Sequence, residues 1–246
     1  MSRPLLAVVA GVGPGAGAAI ARKFASQYPV VCLARKPESF NDVVAEINSS
    51  GGKALGIATD LSSSTSLQAA MATIGAEFGE GYGLSAAIFN AGGKFVRKPF
   101  LELTQGEFAS SCEVPGNGAF LFAQATIPLL LASVANSQHP PSLIFTGATA
   151  ALKSSSQMAA FAAGKWIQRS LAQSLAKEFG PQGVHVSHAI VDGFVDTPQV
   201  RELVKETNPD AMISPAAIAD AYWYLHMQPR NCFTWEMDIR PYVEKW

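Results

Sequence analysis

The chain has 246 residues, of which 48% are hydrophobic and 15% are charged, and its formal net charge is −1. This composition supports a sizeable buried core and argues against a disordered chain. The balanced charge, without a basic run, excludes an extended nucleic-acid or anionic-membrane surface. The chain has no unbroken apolar stretch of about 18 residues, so no membrane span is predicted. We expect one α/β domain over residues 1–246.

The start of the chain and its cysteines indicate the compartment. Residues 1–4 run directly into a strand-like segment and do not have the pattern of a signal peptide. Cys32, Cys112 and Cys232 lie far apart and lack metal-ligand spacing. We interpret them as buried, reduced thiols and predict no metal site and a cytoplasmic location.

The first predicted strand, Leu5–Ala10, leads through a glycine-rich turn into a helix from Ala18 to Ser26. Glycines between a strand and a helix let backbone N–H groups approach a pyrophosphate, which side chains would block. The alternative is a structural turn that binds nothing. The predicted nucleotide contacts in this turn are Gly11, Gly13, Gly15, Ala16 and Gly17.

The second predicted strand, 29–34, ends immediately before Arg35 and Lys36. In a dinucleotide-binding fold an acid here bonds the 2′-hydroxyl of NAD, whereas an arginine accommodates the 2′-phosphate of NADP. The last strand position is Ala34, so no carboxylate would repel the phosphate, and a guanidinium can bind it bidentately. The sequence therefore favours NADP. The alternative is that both cations belong to an ordinary solvated loop.

The rest of the chain alternates strand-length apolar runs with helical periodicity, which predicts a doubly wound parallel sheet of about seven strands with helices on both faces. Thr104 and Glu107 have the form of a capping box, and Ser214-Pro215 that of a helix start. Gly180-Pro181 is a helix stop. The further predicted helices cover 38–50, 64–78, 104–132, 158–179 and 215–227. The further predicted strands cover 54–59, 85–89, 142–146, 185–191 and 235–239.

These features resemble the short-chain dehydrogenase/reductase family. The glycine spacing is similar to that of the family, and Asn90-Ala91-Gly92 after the fourth strand matches its Asn-Ala-Gly turn. The resemblance implies a Rossmann fold, a small-molecule substrate, and a homodimer or homotetramer formed through helices 104–132 and 158–179. It also implies a lid over the substrate at about 194–213. The cofactor contacts that it implies are Asp60, Leu61, Asn90, Ala91, Gly92, Lys165, Gly193 and Thr197.

Two of these residues have specific implied roles. Asp60 would reach the adenine amino group, with the cap of helix 64–78 as its alternative or additional role. Thr197 would bond the nicotinamide amide.

The positions that carry the family's chemistry are occupied differently here. The Tyr-x-x-x-Lys pair becomes Phe161-x-x-x-Lys165, and the serine position falls on Ala148. The asparagine that holds a water in the family's proton relay falls on Pro115, with Asn117 directed to another face. Lys165 would still bind the nicotinamide ribose. Since acid–base assistance typically contributes about 10²–10⁴-fold, ordinary ketone reduction should be severely impaired.

Asp192 stands where the family has a proline before Gly193, which would bring a carboxylate near the nicotinamide ribose. It is therefore one candidate for a replacement acid, and Thr149, Tyr82 and Lys153 are others. A purely structural role is the alternative for each of the four.

His185 and His188 are interpreted as ordinary strand residues.

Three functional hypotheses remain open. The first is an NADP-dependent oxidoreductase whose acceptor, such as an iminium ion, needs no protein acid. The second is a non-redox enzyme of the same fold, a cyclase, isomerase or dehydratase in a biosynthetic pathway. The third is a pseudoenzyme that binds NADP without catalysis.

Overall fold

The structure, a computed structural model, describes residues 4–205, 208 and 210–244. Its seven strands are β1 (Leu5–Ala10), β2 (Val30–Ala34), β3 (Ala54–Ala58), β4 (Gly83–Phe89), β5 (Ser142–Gly147), β6 (His185–Val191) and β7 (Glu236–Ile239). They form one sheet in the order β3-β2-β1-β4-β5-β6-β7. Every neighbouring pair is parallel. This confirms the predicted doubly wound sheet.

Helices cover both faces of the sheet. They are α1 (Ala16–Ala25), α2 (Asn41–Ser49), α3 (Ser64–Phe78), α4 (Gln105–Glu113), α5 (Ala119–Leu131), α6 (Ala159–Phe179), α7 (Pro198–Val204) and α8 (Pro215–Met227). One core lies between the sheet and α1, α2 and α8. The other lies between the sheet and α3, α5 and α6. Except for the helix predicted over 104–132, the predicted elements exist, with ends displaced by up to three residues.

The central strands are apolar throughout because both of their faces are buried. In β1, Leu6 and Val8 belong to the core under α3 and α5, whereas Ala7 and Val9 belong to the core under α1 and α8. This alternation follows from the period of two residues along a strand. A run of small apolar residues therefore serves both cores at once.

The single helix predicted over 104–132 is wrong. The predicted capping box is present, with Glu107 N donating to Thr104 Oγ1 over 3.2 Å. The α-helix then stops at Glu113, and Val114–Gly118 form one π-helical turn before α5. Pro115 lies in this turn, because proline cannot donate the backbone hydrogen bond that an α-helix needs.

Among the described residues, one segment, Gln105–Leu131, is long and apolar enough to cross a membrane by length and composition, and 44% of its most apolar window is buried in the fold. Its buried side chains include Phe122, Ile127 and Leu130, which belong to the core next to β4 and β5. The hydropathy of this segment is therefore that of a core helix.

The expectation that all three cysteines are buried is wrong. Their thiols are free, as expected, but Cys232 is exposed and Cys112 is only half-buried. Cys232 lies in the loop between α8 and β7, and loops of this kind run over the protein surface.

A buried polar cluster closes the amino-terminal edge of the sheet. His226 on α8 is fully buried. Its Nδ1 lies 2.7 Å from Ser142 Oγ, and its Nε2 lies 3.0 Å from the hydroxyl of Tyr28. Burial lowers the pKa of His226 to about 3, and the charges of His139 and His185 act in the same direction. The imidazole is therefore neutral in the folded protein.

This cluster predicts loss of stability in acid. Since the unfolded-state pKa of histidine is near 6.5, the unfolded chain gains protons between that value and about pH 3 and is favoured there. From about pH 7 to about pH 5, His226 should account for up to roughly 2 kcal/mol of lost unfolding free energy. Urea denaturation at both pH values measures it.

In that experiment, His226→Gln should flatten the pH dependence, while His139→Gln, a change at a less buried histidine, should leave it nearly as steep. An equally steep loss in the His226 variant would contradict the assignment.

Candidate active site

A cleft of about 620 Å³ opens at the carboxyl ends of β1 to β4. It lies beside the point where the strand order reverses, between β1 and β4, which is where open α/β sheets bind ligands. Most of the residues predicted to contact a nucleotide line it: Gly11, Gly13, Arg35, Lys36, Asp60, Leu61, Asn90, Ala91 and Gly92. The others lie outside its lining: Gly15, Ala16, Gly17, Lys165, Gly193 and Thr197.

The glycine turn and the Asn-Ala-Gly turn are packed directly on each other. Gly11 has a φ of +89°, and a Cβ atom placed on it would lie 2.5 Å from Ala91 N. A Cβ on Gly17 would lie 2.6 Å from the Gly11 carbonyl oxygen. That oxygen accepts a hydrogen bond of 2.9 Å from Asn90 Nδ2. Glycine is therefore required at 11 and 17 by backbone contact.

Other glycines of these turns leave space beside the cleft. A Cβ on Gly13 or Gly92 would meet no described atom within 4 Å. At Gly15, which precedes α1, a Cβ would lie 3.0 Å from Thr197 Cγ2. Thr197, predicted to contact a nicotinamide, thus lies against the glycine turn, and its hydroxyl accepts from Val200 N at the start of α7 over 3.3 Å.

Arg35 and Lys36 are exposed and reach the cleft directly after β2. Asp60 follows β3 on the same side, and its pKa is lowered by hydrogen bonds from the hydroxyl and N–H of Ser62, with a smaller effect of the Arg35 charge. The suggestion that Asp60 caps α3 is wrong. Ser63 is the cap, since its hydroxyl accepts from Ser66 N over 3.2 Å. Asp60 instead accepts from Ser62 and lines the cleft.

Lys165 is held at the end of β5. Its Nζ donates a 3.1 Å hydrogen bond to the carbonyl oxygen of Thr146. The hydroxyl of Thr146 donates in turn to Asn90 Oδ1 over 3.0 Å and lies 2.7 Å from Tyr222 OH. Burial lowers the pKa of Lys165 to about 8. A buried lysine with a lowered pKa is thus tied through Thr146 to the Asn-Ala-Gly turn.

Phe161 lies one helical turn before Lys165 on the same face of α6. Its ring packs edge-to-face on Phe95, with 5.1 Å between the ring centroids. Ala148 directly follows β5. Neither Phe161 nor Ala148 has a side-chain atom that can donate a proton or a hydrogen bond.

Pro115 packs tightly against α6. A Cβ on Gly164 would lie 2.6 Å from the Ser111 carbonyl oxygen and 2.8 Å from Pro115 Cγ. At Gly93 a Cβ would lie 2.2 Å from the same oxygen. Asn117 is directed elsewhere, as expected, and donates to the carbonyl of Ser62 over 3.0 Å. Close packing of Ser111 and Pro115 therefore fills the space beside Gly164.

Asp192, a candidate replacement acid, is bound in an ion pair. Arg240 Nη1 lies 2.7 Å from Asp192 Oδ2, and Thr149 N donates to Asp192 Oδ1 over 3.2 Å. Arg240 Nη2 also donates to the hydroxyl of Thr149 over 2.6 Å. Arg240 comes from the segment after β7, so it could not be paired with Asp192 from the sequence. The arrangement holds the ends of β5, β6 and β7 together and favours the structural alternative for both residues.

Tyr82 is wrong as a candidate acid. It directly precedes β4 at the amino-terminal edge of the sheet, the opposite edge from the cleft, and it is buried in the core with α3. Lys153, the fourth candidate, is exposed beyond the short 3₁₀ turn that follows β5.

Comparison with known proteins shows which family this fold belongs to. The family model described as short chain dehydrogenase matches residues 5–208. The chain belongs to the short-chain dehydrogenase family. Short-chain reductase protein NovJ of Streptomyces niveus is 30% identical over 230 residues, which cover 90% of this chain and 81% of the relative.

Cis-4-hydroxycyclohexanecarboxylate dehydrogenase of Sinomonas cyclohexanicum is 30% identical over 198 residues, which cover 80% of this chain and 76% of that protein. A solved short-chain dehydrogenase from Rhodopseudomonas palustris has a TM-score of 0.78 at 34% identity, covering 98% of this chain and 100% of the other. A metagenomic short-chain oxidoreductase in complex with NADP has a TM-score of 0.80 at 28% identity, covering 98% and 99%.

Sequence analysis missed several residues that line the cleft of this short-chain dehydrogenase. They come from segments without a motif, and only the fold brings them to the carboxyl ends of the strands. The charged and polar ones are Ser39, Thr59, Ser62, Lys94, Ser110 and Glu113. Within the described parts of the chain, no group of three or more His, Cys, Asp or Glu side chains could hold a metal ion.

The contact between α4 and α6 predicts the effect of a small substitution. Gly164→Ala should lower the free energy of unfolding by about 1–3 kcal/mol, because its Cβ would press on a backbone carbonyl and on a proline ring. Thermal and urea denaturation would measure the change.

Gly75→Ala in α3 is the matched control, since its Cβ would meet only Tyr82 Cε1 at 3.9 Å. That change should raise stability by about 0.5–1 kcal/mol through helix propensity. Equal stabilisation by both substitutions would contradict the tight contact at Gly164.

Proposed function

We propose that this short-chain dehydrogenase binds NADP(H) in the cleft and reduces an acceptor that needs no proton from a tyrosine, such as an iminium ion. The observation that supports this best is a pair of features in neighbouring regions, which are joined by the hydrogen bonds from Lys165 to Thr146 and from Thr146 to Asn90. Arg35 and Lys36 line the same cleft as the glycine turn, while the helix face that carries Lys165 presents the phenyl ring of Phe161.

The described residues fit a dinucleotide. The cleft volume of about 620 Å³ is within the usual range for ligand sites. The open space at Gly13, and the N–H groups at the start of α1, suit a pyrophosphate. We assign the pyrophosphate to the turn of Gly11, Gly13, Gly15, Ala16 and Gly17, the adenosine 2′-phosphate to Arg35 and Lys36, the adenine to Asp60 and Leu61, the ribose to Asn90, Ala91 and Gly92, and the nicotinamide end to Lys165, Gly193 and Thr197.

When bound, NADPH supplies a hydride. A ketone that accepts a hydride becomes an alkoxide and must take a proton, whereas an iminium carbon that accepts a hydride becomes a neutral amine and needs none. Phe161 and Ala148 offer no proton and no hydrogen bond. The aromatic pair of Phe161 and Phe95 offers ring faces, which attract cations. This chemistry fits an acceptor that already carries positive charge.

Lys165 keeps a binding role in this proposal. Its ammonium group, held by the Thr146 carbonyl, would contact the nicotinamide ribose.

We further propose that residues 194–213 cover the substrate, with α7 as their helical part. Phe194 in this segment is exposed, so it is available to contact an apolar substrate. Residues 206, 207 and 209 of the predicted lid lie outside the described residues.

We also propose a homodimer or homotetramer in the cytoplasm. The helices expected to pair expose large apolar side chains, which are typical of an interface. These side chains are Phe108, Phe120, Trp166 and Ile167.

Cofactor choice can be tested at Arg35. Arg35→Ala should weaken NADPH binding by roughly 10- to 100-fold, as expected for one lost charge-assisted contact, and should change NADH binding little because NADH lacks the 2′-phosphate. Fluorescence titration with both nucleotides would measure it. Lys53→Ala, which removes a cation that pairs with Glu77 at 3.0 Å outside the cleft, should change neither affinity. A preference for NADH in the unmodified protein would overturn the NADP assignment.

Substrate choice can be tested by stopped-flow oxidation of NADPH against panels of iminium ions and carbonyl compounds. We expect turnover with iminium ions and little with ketones. Tight NADPH binding without oxidation on either panel would favour the non-redox enzyme or the pseudoenzyme. Failure to bind either nucleotide would overturn the proposal.

The missing proton donor can be restored. Phe161→Tyr combined with Ala148→Ser should increase carbonyl reduction by roughly 100-fold or more, since it returns acid–base assistance to the site. The control is Phe161→Leu with Ala148→Ser, which should show no such gain. An unchanged carbonyl rate in a folded, NADPH-binding tyrosine variant would contradict this prediction and would indicate that Pro115 or the pocket shape also limits the reaction.

A further inference from the structure

A second group of polar side chains lies between α6 and strands β5 to β7. Ala148 is on the other side of the end of β5. The charged members of this group form a series of contacts. Arg169 Nε donates to Glu236 Oε2 over 2.6 Å, and Arg169 Nη2 donates to Oε1 over 2.9 Å. His188 Nδ1 lies 2.9 Å from the same Oε2. This series of contacts runs from a half-buried ion pair at the surface to the His188 side chain, which is 0% exposed.

His188 and Lys165 flank the same peptide group. Lys165 Nζ donates to the carbonyl of Thr146, and a Cβ on the next residue, Gly147, would lie 2.1 Å from His188 Nε2. Glycine at 147 is thus required by the imidazole ring. Burial lowers the pKa of His188, Glu236 acts against this, and the charges of Lys165 and Arg169 add to it. The positive charge of Lys165 is therefore felt at the ring.

The tautomer of His188 follows from its partners. A neutral imidazole carries one proton, and the Glu236 carboxylate can only accept, so the proton is on Nδ1. Nε2 then presents a bare lone pair, buried, with no partner among the described side chains. Gln168, fully buried one helical turn after Lys165 and on the same face of α6, also has an amide oxygen and nitrogen without a described partner.

Unsatisfied groups of this kind are costly in a protein interior and are commonly bridged by ordered water. Here the lone pair of His188 Nε2 can accept a hydrogen bond, and the ammonium of Lys165 has N–H groups besides the one that Thr146 accepts. A water between them can accept from Lys165 and donate to His188, and the amide of Gln168 can supply a further partner.

We propose that His188 is a positioning residue for Lys165: together with Gln168 it holds an ordered water that accepts a hydrogen bond from the Lys165 ammonium. The inference deepens the proposed function and rests on it for the role of Lys165 at the nicotinamide ribose. The water fixes the direction of the ammonium and stabilises its charged form. It lies on the β6 side of Lys165, whereas the family's relay asparagine position, Pro115, lies on the α4 side.

Each element packed around Lys165 contributes particular groups that face it. Arg169 joins this group of polar side chains from α6, His188 from β6 and Glu236 from β7, whereas β5 contributes the Thr146 carbonyl. From α4 and the π-helical turn, Ser111 and Pro115 pack on Gly164, and neither titrates. Glu236 is already paired with Arg169, so on this side of Lys165 the lone pair of His188 Nε2 remains available as an acceptor.

The decisive measurement is the titration of Lys165 in protein free of nucleotide, by NMR of ¹³Cε-labelled lysine with Lys165→Met for assignment. His188→Leu removes the acceptor and should shift the Lys165 midpoint down by about one pH unit, because the charged form loses a hydrogen-bonded partner. His188→Gln keeps a polar amide and should restore most of the shift. His185→Gln alters a buried histidine three residues away on the same strand and should leave the midpoint unchanged.

A crystal structure of the unmodified protein provides a second test that no folding defect can obscure. An ordered water within hydrogen-bond distance of both Lys165 Nζ and His188 Nε2 is expected. Absence of that water, or an unchanged Lys165 midpoint in folded His188→Leu, would overturn the inference. NADPH titration of the same samples separates the two proposals. If the unmodified protein binds no NADPH while His188→Leu still lowers the Lys165 midpoint, only the proposed function is contradicted.

Discussion

The hydrogen bond from Asn90 Nδ2 to the Gly11 carbonyl is the contact on which the site depends. It joins the turns after β1 and β4 at the point where the strand order reverses and the cleft opens. Asn90 also accepts from the Thr146 hydroxyl, and the Thr146 carbonyl accepts from Lys165. One series of hydrogen bonds thus connects β1, β4 and β5 with α6. Each bond is buried or half-buried, so leaving any partner unpaired would be costly.

The cleft and the region around Phe161 are held together by different kinds of contact. Around the cleft, glycines let backbones touch, and polar side chains remain available to a ligand. Around Phe161, the corresponding positions are filled by apolar contacts: a phenyl ring against Phe95, and a proline against Gly164. Polar groups nearby are bound to one another, as Asp192 is to Arg240. In the proposed function, a site of this kind binds and orients a nucleotide and takes no proton from Phe161 or Ala148.

Several expectations failed because the contacts that a side chain makes do not follow from its position in the sequence. Asp60 was a plausible cap for α3, but Ser63 lies closer to the helix and its hydroxyl reaches Ser66 N. Asp192 could not be recognised as an ion-pair partner because Arg240 lies 48 residues later. The sequence predicted one helix over 104–132, but the π-helical turn that accommodates Pro115 depends on how the proline packs against α6. His188 lies on β6 as predicted, and the structure adds its contacts with Gly147 and Glu236.

By itself the sequence determined the seven-stranded parallel sheet, the cleft turns and nine of the 19 residues that line the cleft. These depend on local order: apolar runs with a period of two or of about 3.6 residues, and glycines next to the strand that they follow. Only the tertiary structure decided which polar side chains are free and which are engaged. Hydrogen bonds and ion pairs act over about 3 Å, and the partners of Asp192, Lys165 and His188 are brought within that range by the packing of β5, β6 and β7 against α6.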